Sequence, residues 1–531
     1  MRVPFRGLGQ IGLISDAPAV DLPPAALTDA INIDLSDKAI RKSPGWVQAF
    51  STPNAVWMET WFGSAGGNLL YIDESGLNPA FYVLNALGGF DDVTNGETLT
   101  NGNQWDSTGF GESVVFTNGA DIPYSFTAGD SAIASLLNWP ALWRAQIIRP
   151  YQNFLIALRV TKSGVENVNG IQWSNAADNN VLPPDWDETN PASLAAGATV
   201  NGDNGPIVDG LALDKSFLIY QSTGCSALSF TGGQYVMNLR PLHNRGLLSR
   251  RALCQFDKMH FCIGQGVIYV NTGAGVQHMA EDKVQTRFFN ELYDEEGLSC
   301  FHDPVNRRVL TFYRNSADTV LPNRVLKWDY SEDAWTFDDF TTTGVVRAKY
   351  GPTSERGVTW ESIDVGGSDP DAGATWNDYN TSWAKTDSQL GDIKLQMLVD
   401  DGVGKKVVVY EDVNTRNTQQ FDCRFEREYI DFDELLQGQL PMTTEHIKHI
   451  KTIHPQVTGN GKLYFQFGFA EAANLATQWG QEVEYDLDAD YKVDFRQSGR
   501  YFAWRCYTKT TIPTDFRLSG FDIEVELAGE R

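Results

Sequence analysis

From Trp46 to the end of this 531-residue chain, short runs of β-forming residues follow one another, each closed by turn formers. Asn68-Leu69-Leu70-Tyr71-Ile72, Ser113-Val114-Val115-Phe116-Thr117, Asn153-Phe154-Leu155-Ile156-Ala157-Leu158, Gly266-Val267-Ile268-Tyr269-Val270 and Arg308-Val309-Leu310-Thr311-Phe312-Tyr313 are examples. Runs this short give an isolated helix too few turns to repay nucleation. They are also rich in the branched and aromatic side chains that pack well on a pleated surface. The spacing therefore predicts an all-β fold.

The runs group into units that recur at roughly 40 to 60 residues, the period of propeller blades. A blade cannot bury both faces alone and needs neighbours packed radially. The unit from Arg308 through Val325-Leu326-Lys327-Trp328-Asp329-Tyr330 to Ala334-Trp335-Thr336-Phe337 has this texture most clearly. The expectation is a β-propeller-like body over residues 49–385, with a pair of β-sandwich domains as the structural alternative. Gly366-Gly367-Ser368-Asp369-Pro370-Asp371-Ala372-Gly373 reads as a loop near a domain boundary. Beyond it, residues 386–531 read as a β-sandwich or jelly roll. Asp400-Asp401-Gly402-Val403-Gly404 signals a hairpin. Asn460-Gly461 predicts a type I′ hairpin joining His454–Val457 to Lys462–Phe467. Phe521–Leu527 alternates apolar with acidic residues, as a half-buried antiparallel strand does.

Residues 1–48 differ. Gly7, Gly9, Gly12, Pro18, Pro23 and Pro24 punctuate them, and proline disfavours helix in the residue before it. The segment reads as an extended docking arm, with one short helix expected over Ala25–Ala30. Its apolar pegs are Ile11, Leu13, Ile14, Val20 and Leu22. An arm with pegs and no core must dock, either on its own body or on a neighbouring subunit.

Composition is globular, 42% hydrophobic and 21% charged. The balance is acidic, 68 Asp+Glu against 42 Lys+Arg, net −26. Such a surface repels phosphate and argues against tight nucleic-acid binding. The arm itself is neutral: Arg2, Arg6, Lys38, Arg41 and Lys42 balance Asp16, Asp21, Asp29, Asp34 and Asp37. No secretory signal, membrane span or CxxC pair is seen, so the expectation is synthesis in a reducing cytoplasm with buried, free thiols. His446, His449 and His454 lie close together, but strand geometry turns positions i and i+3 to opposite faces. Asp486, Asp488 and Asp490 are spaced as in a calcium loop, yet Tyr491 stands where that loop needs glycine. No nucleophile, phosphate-loop or paired-carboxylate motif is found. The reading assigns no catalytic residue, metal or cofactor, and treats most of the 15 tryptophans as core.

Two stretches carry a family resemblance. Ile11-Gly12-Leu13-Ile14, Asp16-Ala17-Pro18, Leu22-Pro23-Pro24, Ala26-Leu27-Thr28-Asp29-Ala30-Ile31-Asn32-Ile33 and Ala39-Ile40-Arg41-Lys42-Ser43-Pro44-Gly45-Trp46 resemble the opening of tail nozzle proteins of short-tailed bacteriophages. At the other end, Gly499-Arg500-Tyr501-Phe502, Arg517–Val525 and Gly529-Glu530-Arg531 are similar to that family too. Asp34 and Asp37 depart from it, standing where relatives more often carry basic or neutral residues. The resemblance covers about 80 residues and implies a non-enzymatic virion protein of the phage tail (tail tubular protein B-like). It implies a hexameric ring below the tail adaptor, a DNA channel and a β-propeller in each subunit, with tail fibres as further partners. The acidic balance adds the expectation that viral DNA passes through the channel without tight binding. The alternative is a propeller-type carbohydrate-binding or glycoside-processing protein, which acids and tryptophans would suit.

Overall fold

The computed structural model describes residues 2–530 except 37, 53, 64–65, 86–87, 103, 180, 233–235, 341–342, 353–392, 412 and 433–445. Among the described residues the protein is all-β, as the spacing of runs predicts. One α-helix, Gln285–Glu291, and two short 3-10 turns interrupt the strands.

Seven sheets, built mainly of antiparallel pairs, follow one another in chain order. Their first strands are Ala55–Gly63, Asp106–Phe110, Trp143–Tyr151, Ile207–Leu213, Leu253–Phe256, Ser299–Asp303 and Gly344–Pro352. Each first strand contacts the first strand of the next sheet, and Gly344–Pro352 returns to contact Ala55–Gly63. The contacts therefore close into a cycle of seven. The sheet begun by Gly344–Pro352 continues through Ile393–Asp400 and Lys405–Glu411. Its next strand is Gly45–Ser51, which precedes the first sheet in sequence. The cycle is thus fastened by a strand from the chain's beginning.

Period-2 alternation explains why the sheets stack. In the strand Phe154–Lys162, Phe154, Ile156 and Leu158 enter the core shared with Ile207, Phe217 and Ile219 of the following sheet. Leu155, Ala157 and Val160 enter the opposite core, with Phe110 and Val115 of the preceding sheet. The next sheet repeats the scheme: Leu218 and Tyr220 face Leu253, Cys262 and Tyr269. Side chains of one strand point alternately to opposite faces, so a run apolar at every position needs a sheet on both sides.

The sheet begun by Ser299–Asp303 does not stop at four strands. After Ala334–Asp339 it continues through Asp29–Ile31, Arg424–Ile430, Tyr501–Tyr507, Lys462–Ala470 and Gln478–Asp486. A second sheet runs Val493–Gly499, His446–Asn460, Asp515–Glu530, Ala39–Lys42 and Ile33–Ser36, with Arg2–Arg6 also paired to Asp515–Glu530. One continuous core joins Phe425, Phe465, Phe502 and Trp504 of the first sheet with Ile450, Leu518, Phe521 and Ile523 of the second. It extends to Phe261, Trp328 and Trp335. Shared sheets consequently cross both positions, 48/49 and 385/386, at which the sequence reading divides the chain.

Two local expectations are corrected. Ala25–Ala30 forms no helix: Ala26–Leu27 pairs with Gly12–Leu13, and Asp29–Ile31 pairs with Arg424–Glu426. A six-residue helix would form few internal hydrogen bonds, whereas these strands find partners on neighbouring elements. Nor does Asn460-Gly461 close a hairpin. His446–Asn460 and Lys462–Ala470 belong to different sheets, and the turn carries the chain between them. Of the pair only Gly461 has positive φ, +93°, whereas a type I′ turn needs both. The hairpin at Asp400 is present, with Asp400 opposite Lys405. The alternation at Phe521–Val525 matches alternating burial. The loop expected at 366–373 lies outside the described residues.

Candidate functional site

The arm docks on its own chain. Leu13 is fully buried in the large core, next to Leu27 across a parallel pair, and Leu22 is buried outside that core. Ile11, Ile14 and Val20 are half-buried. Gly12 has φ +80°, and a Cβ there would lie 2.8 Å from the backbone nitrogen of Trp335, so only glycine fits without strain. The 3-10 turn Ala19–Asp21 is held by Arg427, almost fully buried, which donates to the carbonyls of Ala19 at 2.6 Å and Leu22 at 2.5 Å. A cleft of about 240 Å³ lies between Val20, Leu22 and Pro24 on one side and Tyr429, Ile430 and Asp431 on the other.

Charged contacts fix the arm alongside the apolar pegs. Asp16 accepts hydrogen bonds from the backbone N–H groups of Thr286 at 2.6 Å and Arg287 at 3.2 Å. Asp29 pairs with Arg287 at 2.9 Å and with Arg424. Burial raises the Asp29 carboxyl, but Arg287 and Arg424 outweigh it and hold it below the usual range. Asp34 accepts from Arg308 at 2.6 Å and from Lys327. Here too burial opposes ionisation, and the two cations win, bringing the carboxyl down to about 2. Lys327 also donates to Ser43 at 2.6 Å and to the carbonyl of Ile33 at 2.8 Å, and lies 2.9 Å from Asp338. Three acids of a net-neutral arm therefore meet basic residues or N–H groups of the body. Sequence reasoning missed these partners, because Arg308 and Lys327 sit inside β-forming runs with nothing nearby to mark a distant acid.

A second polar cluster lies where the seven first strands converge. Glu59, wholly buried, accepts from Ser107 at 2.5 Å and Arg347 at 2.9 Å and lies 2.6 Å from Lys349. Asp106 meets Arg149 and, at 3.2 Å, Arg250; Arg149 reaches on to Asp209 at 3.0 Å. Trp57 donates to Ser107 at 2.8 Å, and its ring carries Arg347 at 3.5 Å and Arg251 at 4.3 Å. Burial disfavours charge on Arg149, but Asp106 and Asp209 hold it above its ordinary value. Burial pushes Arg251 down, and the neighbouring Arg250 and Arg347 push it further. Glu59, Asp106, Arg149, Asp209 and Arg347 have side chains at most 9% exposed, so they fill this hub rather than line an open bore.

The remaining candidates are dispersed. His449 shares a hydrogen bond of 2.7 Å with Ser498, and His454 lies 3.3 Å from Glu524. The turn at Asp486 is closed by its own carboxylates, Asp486 N donating to Asp490 and Asp488 N to Asp486. No group of three or more His, Cys, Asp or Glu is gathered as a metal site among the described residues. All six cysteines are buried and free. No described helix is long and apolar enough to cross a membrane.

These features define an all-β protein whose own first residues lock its sheets together. Comparison with protein-family models and with curated proteins gives no match. Among solved structures, the computationally designed Ika8 protein is similar at 11% identity and a TM-score of 0.37, covering 69% of this chain and 99% of that one. That likeness is too loose to carry an argument.

Proposed function

We propose that the protein is a structural subunit of a short-tailed phage tail, a nozzle-type component of the conduit through which DNA leaves the virion. In this reading the closed cycle of seven sheets is a propeller, and the residues bearing the resemblance are architectural. The observation that carries it is the placement of Ala26–Trp46. This stretch supplies a strand to each face of the sandwich-like region and begins the strand that fastens the cycle. Residues shared for a structural reason belong at such junctions rather than in a cleft.

The conduit lies between copies of the chain, because the hub of each copy is packed with side chains. A net charge of −26 per copy repels duplex from the wall and lets it slide. The test is reconstitution with a tail adaptor protein, imaged by negative-stain microscopy. The expected result is a ring of six copies below the adaptor; a protein that stays monomeric with adaptor present counts against the reading. Fluorescence anisotropy at physiological salt should show no tight binding to duplex DNA, and nanomolar affinity would overturn the charge argument.

A further inference from the structure

We propose that the partly exposed side of this hub, where Arg251 lies, is a binding site for one small tetrahedral dianion, inorganic phosphate or sulfate, with the buried Glu59, Asp106, Arg149, Asp209 and Arg347 filling the centre behind it. Among the described residues five basic groups gather there, Arg149, Arg250, Arg251, Arg347 and Lys349, against three acids, Glu59, Asp106 and Asp209. Two positive charges are left over in a molecule that is strongly negative as a whole. The surplus has an address. Asp106 and Asp209 are both engaged by Arg149, and Glu59 by Arg347 and Lys349. The Arg251 guanidinium comes no nearer to a carboxylate than 4.0 Å, from its Nε to Asp106.

Three observations make this an anion site rather than packing. The Nε atoms of Arg250 and Arg251 are buried without a hydrogen-bond partner among the described residues. The Arg251 side chain is 24% exposed and Lys349 31%, so solvent reaches the cluster. Arg251 also has φ +66°, a backbone conformation that residues with a Cβ rarely adopt. It is held there by donating its N–H to Asp209 at 3.2 Å and accepting at its carbonyl from Cys300 at 2.9 Å. A strained backbone that delivers an under-neutralised guanidinium to the partly exposed side of a polar cluster is a common device of ligand clamps. Guanidinium groups bind oxyanions through charge-assisted, directional hydrogen bonds. The competing account is that carbonyls suffice, since Arg251 donates to Trp105 O at 2.6 Å, Arg250 to Gln146 O at 2.5 Å and Arg347 to Met58 O at 2.7 Å.

The experiment is calorimetric titration of the full chain with inorganic phosphate, and separately sulfate, at ionic strength matched with sodium chloride. One site per chain is expected, with Tm rising with ligand concentration as mass action requires. Arg251→Gln should weaken phosphate by at least about tenfold while circular dichroism stays that of a β protein. Lys492→Gln, on the surface, should leave the affinity unchanged. Absence of heat and of any Tm change beyond matched chloride overturns the proposal, as does undiminished binding in Arg251→Gln. Should that variant fail to fold, Lys349→Met decides: weakened binding supports the site, unchanged binding removes it.

Discussion

Asp34 accepts a hydrogen bond from Arg308 at 2.6 Å across 274 positions of sequence, with Lys327 closing on the same carboxylate. Both cations are nearly fully buried. Replacing Asp34 by Asn leaves their charge short of one counter-ion, and breaking a buried pair from one side costs about 3 to 5 kcal/mol. Asp303 and Asp338 remain as partners, which places Asp34→Asn at the lower end. Urea denaturation should show it; a midpoint unchanged from the parent contradicts the assignment.

The pegs separate by burial. Leu13→Ala should cost about 2 to 5 kcal/mol, because it opens a cavity in the large core. Ile11→Ala and Val20→Ala, at half-buried positions, should each cost less than Leu13→Ala. Deleting residues 1–51 removes strands from four sheets, and the expected product is insoluble or rapidly cleaved in limited proteolysis. A soluble, protease-resistant truncated chain would show that the arm is an accessory rather than a fastening.

Gly45 begins the strand that fastens the cycle, and a Cβ there would sit 1.8 Å from the carbonyl oxygen of Thr415. That partner is backbone and cannot swing aside. Gly45→Ala should therefore lower Tm, with increased amide exchange over 45–51 and 405–411 as the local signature. Exchange confined to other sheets would contradict the closing role.

Acid should unfold the protein in two ranges. His260 is buried, shares a hydrogen bond of 2.9 Å with Tyr220, and burial brings its imidazole down to about 4. The unfolded chain takes up that proton near pH 6.5 and the folded chain does not. Stability is thus full above pH 6.5 and is lost as pH falls toward 4, by on the order of 3 kcal/mol. Asp34 acts in a lower window: its folded value near 2 lies below the ordinary one, so its contribution is present above about pH 4 and is lost as pH falls toward 2. His260→Gln should flatten the first range and leave the second, read as Tm against pH.

Burial also pushes the Cys423 thiol up to about 11 and the Cys300 thiol up to about 12. Thiolate is the reactive form, so native protein at pH 8 should react slowly with a thiol reagent. All six cysteines should react once denaturant is added.

Period and punctuation were legible in the chain by itself. The all-β class, the strand at Phe521–Val525 and the hairpin at Asp400 follow from alternation and turn residues, which act between neighbours a few positions apart. Tertiary structure decided what local signals cannot carry. Asn460-Gly461 has the composition of a hairpin turn, yet its flanking strands are claimed by different sheets, Ile453 pairing with Ile523 and Phe465 with Cys506. Ala25–Ala30 has helix-forming alanines, but partners at Gly12–Leu13 and Arg424–Glu426 outcompete a single turn of helix. The body's docking partners for Asp16, Asp29 and Asp34 were equally hidden, because an ion pair between residues hundreds of positions apart leaves no trace in the residues beside either one. Only the folded chain, by removing those charges from water, makes their pairing compulsory.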